Sequence, residues 1–165
     1  MPRSIFPAAL QALPPAERAL NTDLRERALR LLARRDYSRS ELARKLAGES
    51  NASHQLEDTL DTLSAQGLLS DSRYALSRSH SRSKTLGNAR LAGELRAKGV
   101  ADELVSAALA SIEDELSRAQ RIWQRKFGQW PTTVEEYARQ ARFLAARGFA
   151  RETIRQLLRG SREND

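Results

Sequence analysis

The chain has 165 residues, of which 40% are hydrophobic, 30% are charged and only 5% are aromatic, and its formal net charge is +7. The absence of cysteine excludes a disulfide framework and thiolate metal sites, and it is typical of proteins from a reducing compartment. Alanine and leucine dominate the apolar residues, which favours helices over sheets, and the basic excess favours a polyanionic or acidic partner.

The first twenty residues are predicted to form a flexible arm rather than a targeting segment. They contain one early arginine, and Pro7, Pro14 and Pro15 interrupt what would be the apolar core of a signal peptide. The sequence also lacks a run of about 18 consecutive apolar residues, the length that a membrane-spanning helix needs. We therefore expect a cytoplasmic protein with no membrane partner and an N-terminal arm over residues 1–20.

One helical pattern recurs three times at an offset of 49 residues. Leu46, Leu95 and Leu144 occupy the same position in the three copies, and Gly99 and Gly148 occupy the turn position, where a helix end favours a residue that tolerates positive φ. A chance match between alanine- and leucine-rich helices is the alternative, but two independent offsets give the same register. After each turn a second apolar run follows, marked by Leu56 and Leu60, Val105 and Leu109, and Ile154 and Leu158.

A further helical run precedes each copy, so each repeat is predicted to contain three helices. The sequence therefore predicts an all-α fold of three tandem three-helix, helix-turn-helix-like repeats. Their predicted bounds are residues 21–70, 71–112 and 113–165. Units of this size are marginally stable alone, so we expect neighbours to pack end to end into an elongated modular body.

Capping signals mark where several of these helices begin. Ser38 with Glu41, and Thr132 with Glu135, have the S/T-x-x-E spacing of a capping box. Ser70 or Asp71 is predicted to cap the first helix of the second repeat.

The basic excess is concentrated in the second and third repeats. Residues 1–70 hold ten basic and nine acidic residues, residues 71–112 hold seven and four, and residues 113–165 hold eleven and eight. Like charges four residues apart destabilise a helix by about 0.2–0.5 kcal/mol per pair, so an external anion would stabilise such stripes; solvated basic faces are the alternative. The residues predicted to form basic tracks that bind a partner or nucleic acid are Arg78, Arg82, Lys84, Arg90, Arg96 and Lys98, then Arg118, Arg121, Arg125, Arg147, Arg151, Arg155 and Arg159.

The sequence has no pattern that is typical of an enzyme. His54 and His80 are the only histidines and belong to different repeats, and there is no H-E-x-x-H, P-loop or dinucleotide-binding motif. The acidic run at residues 113–115 is interpreted as solvated. Trp123 is predicted to lie in the core, whereas Trp130 is either a core residue or a platform for stacking a base. We therefore predict a binding protein without catalytic residues, metal or cofactor.

Four segments, in this order and spacing, resemble the bacterial regulatory protein family RecX. They are ALRLLARRDYSRSELARKL (28–46), GLLSDSRYA (67–75), LGNARLAGELRAKGV (86–100) and FLAARGFARETI (143–154). The resemblance covers about residues 24–159. The sequence departs from the family at Asn88, where a proline is frequent, and residues 1–20 match no family pattern.

The resemblance implies a helical repeat protein that modulates the RecA recombinase in DNA repair, homologous recombination and the SOS response. Such proteins bind the groove of the RecA nucleoprotein filament and inhibit its ATPase, strand-exchange and coprotease activities by limiting filament extension; some also bind single- or double-stranded DNA. On this interpretation the chain is a monomer whose basic tracks contact the filament. Charge reversal at Arg151 and Arg155 is then expected to weaken inhibition.

Two alternatives remain open at this point. A helix-turn-helix transcription regulator shares the short helices and the basic charge, but the third helices of the first two repeats are acidic and no dimerisation helix is evident. A nonspecific nucleic-acid-binding protein would bind DNA without affecting a recombinase.

Overall fold

The computed structural model describes residues 14–47 and 53–159. Within these ranges the protein is all-α, as the composition predicts, with nine helices and no strand. The helices are α1 (Pro15–Leu32), α2 (Arg39–Leu46), α3 (Ser53–Ala65), α4 (Asp71–Arg82), α5 (Asn88–Ala97), α6 (Asp102–Ala110), α7 (Glu115–Lys126), α8 (Val134–Ala146) and α9 (Arg151–Arg159).

The nine described helices form three groups of three along the chain. By its internal contacts, however, the chain divides into two compact units, Met1–Ser70 and Asp71–Asp165. Helices α1 to α3 belong to the first unit, and α4 to α9 belong to the second, so the second and third repeats share one unit. Helix α1 begins at Pro15, a residue whose missing N–H is tolerated at a first helical position. Residues 15–20 of the predicted arm are therefore helical, and residues 1–13 lie outside the described residues.

The first unit has a leucine-rich core contributed by all three of its helices. Leu42, Leu46, Leu60 and Leu63 are fully buried there. The predicted capping box is confirmed at α2, because the Ser38 hydroxyl accepts a hydrogen bond from the Glu41 N–H at 3.1 Å.

The predicted capping box at α8 is wrong by one residue. Thr133, not Thr132, accepts the hydrogen bond from the backbone of the first turn, donated by the Glu136 N–H at 3.2 Å. The Glu136 carboxylate accepts in return from the N–H and the hydroxyl of Thr132, at 2.8 and 2.9 Å. These hydrogen bonds lower the pKa of Glu136.

The repeat register deduced from the sequence is visible in the burial pattern. Leu46, Leu95 and Leu144 are at most 1% exposed. Gly99 and Gly148 have φ of 76° and 83°, which confirms the predicted left-handed turns.

The core of the third repeat is centred on Trp123, which is 2% exposed, as predicted. Its indole N–H donates to the Gln140 side-chain oxygen at 2.7 Å. That bond explains why a glutamine is buried at the repeat position that Leu42 and Leu91 occupy. Trp130 stacks on Trp123 with ring centroids 4.0 Å apart, yet it stays 38% exposed.

None of the helices in the described residues combines the length and apolar character needed to cross a membrane. The same residues contain no cluster of side chains suited to holding a metal ion.

Candidate anion-binding groove

The second and third repeats meet through direct backbone contact between the start of α5 and the turn after α8. The Gly87 N–H donates to the Arg147 carbonyl at 2.8 Å, and the Ala89 N–H donates to the Gly148 carbonyl at 3.1 Å. A β-carbon at Gly87 would overlap the backbone of Gly148, and one at Gly148 would lie 2.5 Å from the Arg90 β-carbon. Only glycine fits at both positions, because any side chain there would force the two backbone segments apart.

Glu115, at the start of α7, fixes this junction from a third side. One carboxylate oxygen accepts from the Asn88 N–H at 2.6 Å. The other accepts from the Ala150 N–H at 3.2 Å and from the Thr153 hydroxyl at 2.7 Å. A single carboxylate thus caps the first turns of α5 and α9, which belong to different repeats. The interpretation of the acidic run as solvated is wrong at Glu115.

The other two residues of the acidic run, Asp114 and Glu113, have roles different from that of Glu115. The Asp114 carboxylate caps α7 by accepting from the Ser117 N–H at 3.0 Å, and this hydrogen bonding lowers the pKa of Asp114. Glu113 lies on the surface and forms an ion pair with Arg121.

Arg118 is also part of the junction, and its predicted place in an exposed basic track is wrong. The side chain is 2% exposed, and burial lowers the pKa of its guanidinium. It donates to the carbonyls of Glu113 and Leu86, at 2.9 and 2.7 Å, and to the side-chain oxygen of Asn88. Asn88 therefore contacts Glu115 through its backbone N–H and Arg118 through its side-chain amide oxygen. A proline at this position would lack both groups.

A groove of about 210 Å³ lies beside this junction and is lined by residues of both repeats. Four cations surround it, from the loop after α4, the end of α7 and the end of α8, while Ile122 and Phe143 supply its apolar surface. No carboxylate lines it among the residues that the structure describes. We call it the basic groove; its lining residues are Lys84, Thr85, Ile122, Arg125, Lys126, Phe143 and Arg147.

Two of the four cations of the basic groove lie over the aromatic ring of Phe143. The Arg147 guanidinium lies 3.7 Å from the centroid of Phe143, and the Lys126 ammonium lies 6.0 Å from it. Phe127 packs edge-on against Phe143 at 5.1 Å and supports it. Lys84 and Arg125 form no hydrogen bond or ion pair with any residue in the described ranges. The arrangement concentrates positive charge and hydrogen-bond donors that suit a phosphate or carboxylate.

The structure brings three of the predicted residues, Lys84, Arg125 and Arg147, into the basic groove. Lys126 and Phe143 were missed. A helical projection could have found Lys126, because Ile122, Arg125 and Lys126 lie at i, i+3 and i+4 on one side of α7.

Several predicted cations are instead engaged within the protein. Arg78 and Arg82 pair with Glu94 at 3.6 and 2.8 Å, and hydrogen bonding from Arg82 lowers the pKa of Glu94. Arg90 donates to the Ala146 carbonyl at 2.9 Å. The remaining contacts are those of Arg96 with Asp102 at 2.6 Å, Arg121 with Glu113, and Arg155 with Glu152.

The other predicted cations lie elsewhere on the second unit. Lys98 is half-buried at the end of α5, and Arg151 is exposed at the start of α9. Arg155 and Arg159 line a separate depression of the third repeat.

Comparison with known proteins gives consistent matches to one family. The model of the second three-helix domain of RecX matches residues 70–109, and that of the third matches residues 113–158. The regulatory protein RecX of Leptothrix cholodnii is 47% identical over 137 residues, covering 82% of this chain and 87% of the relative. That of Chromobacterium violaceum is 42% identical, covering 86% and 93%. The crystal structure of RecX from Lactobacillus salivarius superposes with a TM-score of 0.75 at 18% identity, covering 85% of this chain and 95% of that one.

Proposed function

The chain belongs to the RecX family of regulatory proteins, and on that premise we propose that it binds the RecA nucleoprotein filament and restrains its growth. The consequence would be inhibition of the recombinase, ATPase and coprotease activities of RecA, and thereby control of DNA repair and the SOS response. The chain would act as a cytoplasmic monomer, by binding alone and without a reaction or cofactor of its own.

The observation that supports this proposal is the basic groove. A filament of protein on DNA presents phosphates and carboxylates, and a groove with four cations and no carboxylate in its described lining is complementary to both. Phe143 and Ile122 add apolar surface beside these cations, which a partner's apolar groups could contact.

The test is the single-strand-DNA-dependent ATPase of the cognate RecA, with this protein titrated into it. Because restrained filament growth affects many RecA molecules per bound inhibitor, we expect inhibition well below one molecule per RecA. A folded protein that leaves the ATPase of active RecA unchanged at a molar excess would contradict the proposal.

The same groove favours one second candidate, a nonspecific nucleic-acid-binding protein. That function predicts salt-sensitive binding to single- and double-stranded DNA together with an unchanged RecA ATPase. Sequence-specific binding to duplex DNA at moderate salt would instead favour a helix-turn-helix regulator.

A further inference from the structure

The third repeat carries a second surface, which is apolar and aromatic where the basic groove is cationic. Val134 is 80% exposed, Trp130 38% and Tyr137 37%, so three large exposed hydrophobic residues lie within one short stretch of chain. Single exposed hydrophobic residues are common on protein surfaces, but a contiguous group indicates an interaction site. We call it the aromatic patch; it comprises Trp130, Pro131, Val134, Tyr137, Arg155 and Arg159.

Two adjoining depressions shape the aromatic patch, and Arg159 lines both. One has a volume of about 330 Å³ and lies beside Pro131, Val134 and Tyr137. The other has a volume of about 500 Å³ and lies beside Trp130 and Arg155. The patch therefore offers two recesses for side chains, and Arg159 contributes to the walls of both.

Trp130 of the aromatic patch is anchored to the core beneath it. Trp130 stacks on Trp123, and Trp123 is fixed by its hydrogen bond to Gln140. The Gln140 amide donates in turn to the Gln129 carbonyl at 3.1 Å, next to Trp130 in the chain. A rigid surface loses little conformational entropy when a partner binds.

The composition of the patch fits a protein better than a nucleic acid. Tryptophan, tyrosine and arginine are the residues that contribute most to protein interfaces. Val134 and Pro131 are aliphatic and give a base no ring to stack on. Arg155 pairs with Glu152 in the larger depression, so their charges largely cancel. Arg159 lines both depressions and supplies the excess positive charge that attracts a carboxylate.

We propose that the aromatic patch docks a protein segment that carries apolar side chains next to carboxylates. The inference rests on the proposed function: the segment belongs to the protein component of the filament, while the basic groove contacts the nucleic acid. Two chemically different surfaces on one compact unit would then recognise a nucleoprotein partner by both of its components.

The test compares Val134→Asp with Leu76→Asp, a matched substitution at a 37% exposed residue of α4. Val134 is 80% exposed and an aspartate in the first turn of α8 is favourable to the helix, so Val134→Asp should fold. Circular dichroism checks that Leu76→Asp, at a more buried position within α4, folds as well. The probes are RecA assembled on single-stranded DNA, and the same DNA alone. Because an aspartate within an apolar contact would be desolvated without a partner, Val134→Asp should raise the Kd for the filament at least about tenfold. Its affinity for bare DNA should stay within about twofold of wild type, because the proposed nucleic-acid contact lies in the basic groove. Both affinities of Leu76→Asp should stay within about twofold as well, because Leu76 lines neither surface.

Unchanged filament affinity of Val134→Asp overturns the docking proposal and leaves the proposed function intact, whereas a wild-type protein that does not bind the filament overturns both. An equal loss of affinity for bare DNA would make the patch a nucleic-acid surface. A wild-type dimer in sedimentation that Val134→Asp dissociates would make a second copy of this chain the occupant. Either of the last two results overturns the proposal.

Discussion

The two compact units of the protein differ in one group of cations: both units pair arginines with carboxylates, but the second also has a cluster whose described lining contains no carboxylate. In the first unit, Arg39 of α2 is held between Glu57 and Asp61 of α3, at 2.6 and 2.8 Å, and Arg35 pairs with Glu41 at 3.0 Å. In the second unit, the cations of the basic groove face one another with no carboxylate in the described lining. A cation next to a carboxylate contributes to the stability of the fold, whereas a cluster without one is poised for an external anion. The number of arginines in a stretch of sequence does not show which of them lie next to a carboxylate and which lie in a cluster without one.

The junction between the second and third repeats holds the two sides of the basic groove together. Of the substitutions considered, Gly87→Ala should disrupt this junction most strongly. The added β-carbon would overlap the backbone of Gly148, which cannot rotate away as a side chain could. We expect the free energy of unfolding of the second unit to fall by about 3 kcal/mol, the upper range for overpacking. Hydrogen exchange resolved by unit should locate the change in residues 71–159.

Gly93→Ala is the matched control for this substitution. Gly93 lies within α5, and nothing is within 4 Å of the position that its β-carbon would take. Alanine there should raise stability by about 0.5–1 kcal/mol, the difference in helix propensity. A Gly87→Ala variant as stable as Gly93→Ala would show that the close junction does not exist.

Glu115→Ala should weaken the same junction by a smaller amount. It removes the acceptor for the first turns of α5 and α9 at once. Each lost cap costs about 1 kcal/mol, so urea denaturation should show a loss of about 2 kcal/mol. Glu113→Ala is the control, because its surface ion pair with Arg121 is worth at most about 1 kcal/mol. Equal effects of the two substitutions would contradict the role given to Glu115.

Much of the fold could be predicted from the sequence because its signals are local or periodic. The repeat register, the turns at Gly99 and Gly148, and the buried Trp123 all follow from spacing and residue type within a few helical turns. The capping box at α8 was off by one residue, since two adjacent threonines could both serve and only the tertiary structure selects Thr133.

The site could be predicted only in part, because the contacts that define it are distant in sequence. Arg118 looked like Arg125, seven residues later on the same face of α7, yet it meets the Leu86 carbonyl 32 residues away and is buried. The Asn88 N–H that Glu115 caps lies 27 residues from it. Periodicity on one helix shows which residues share a face, but it does not show what that face meets.

Under the proposed function, the filament is bound by the cations of the basic groove, whose described lining contains no carboxylate, rather than by net charge. The most direct measurement is the affinity of Arg125→Glu and Arg121→Glu for RecA filaments on single-stranded DNA, over a range of salt concentrations. Both substitutions change the charge of α7 equally, but Arg121 pairs with Glu113 outside the groove. Arg125→Glu should weaken binding at least about tenfold and lower the slope of log affinity against log salt by about 1, while Arg121→Glu should stay close to wild type. Equal losses in the two variants would mean that overall charge drives binding, and would contradict the claim.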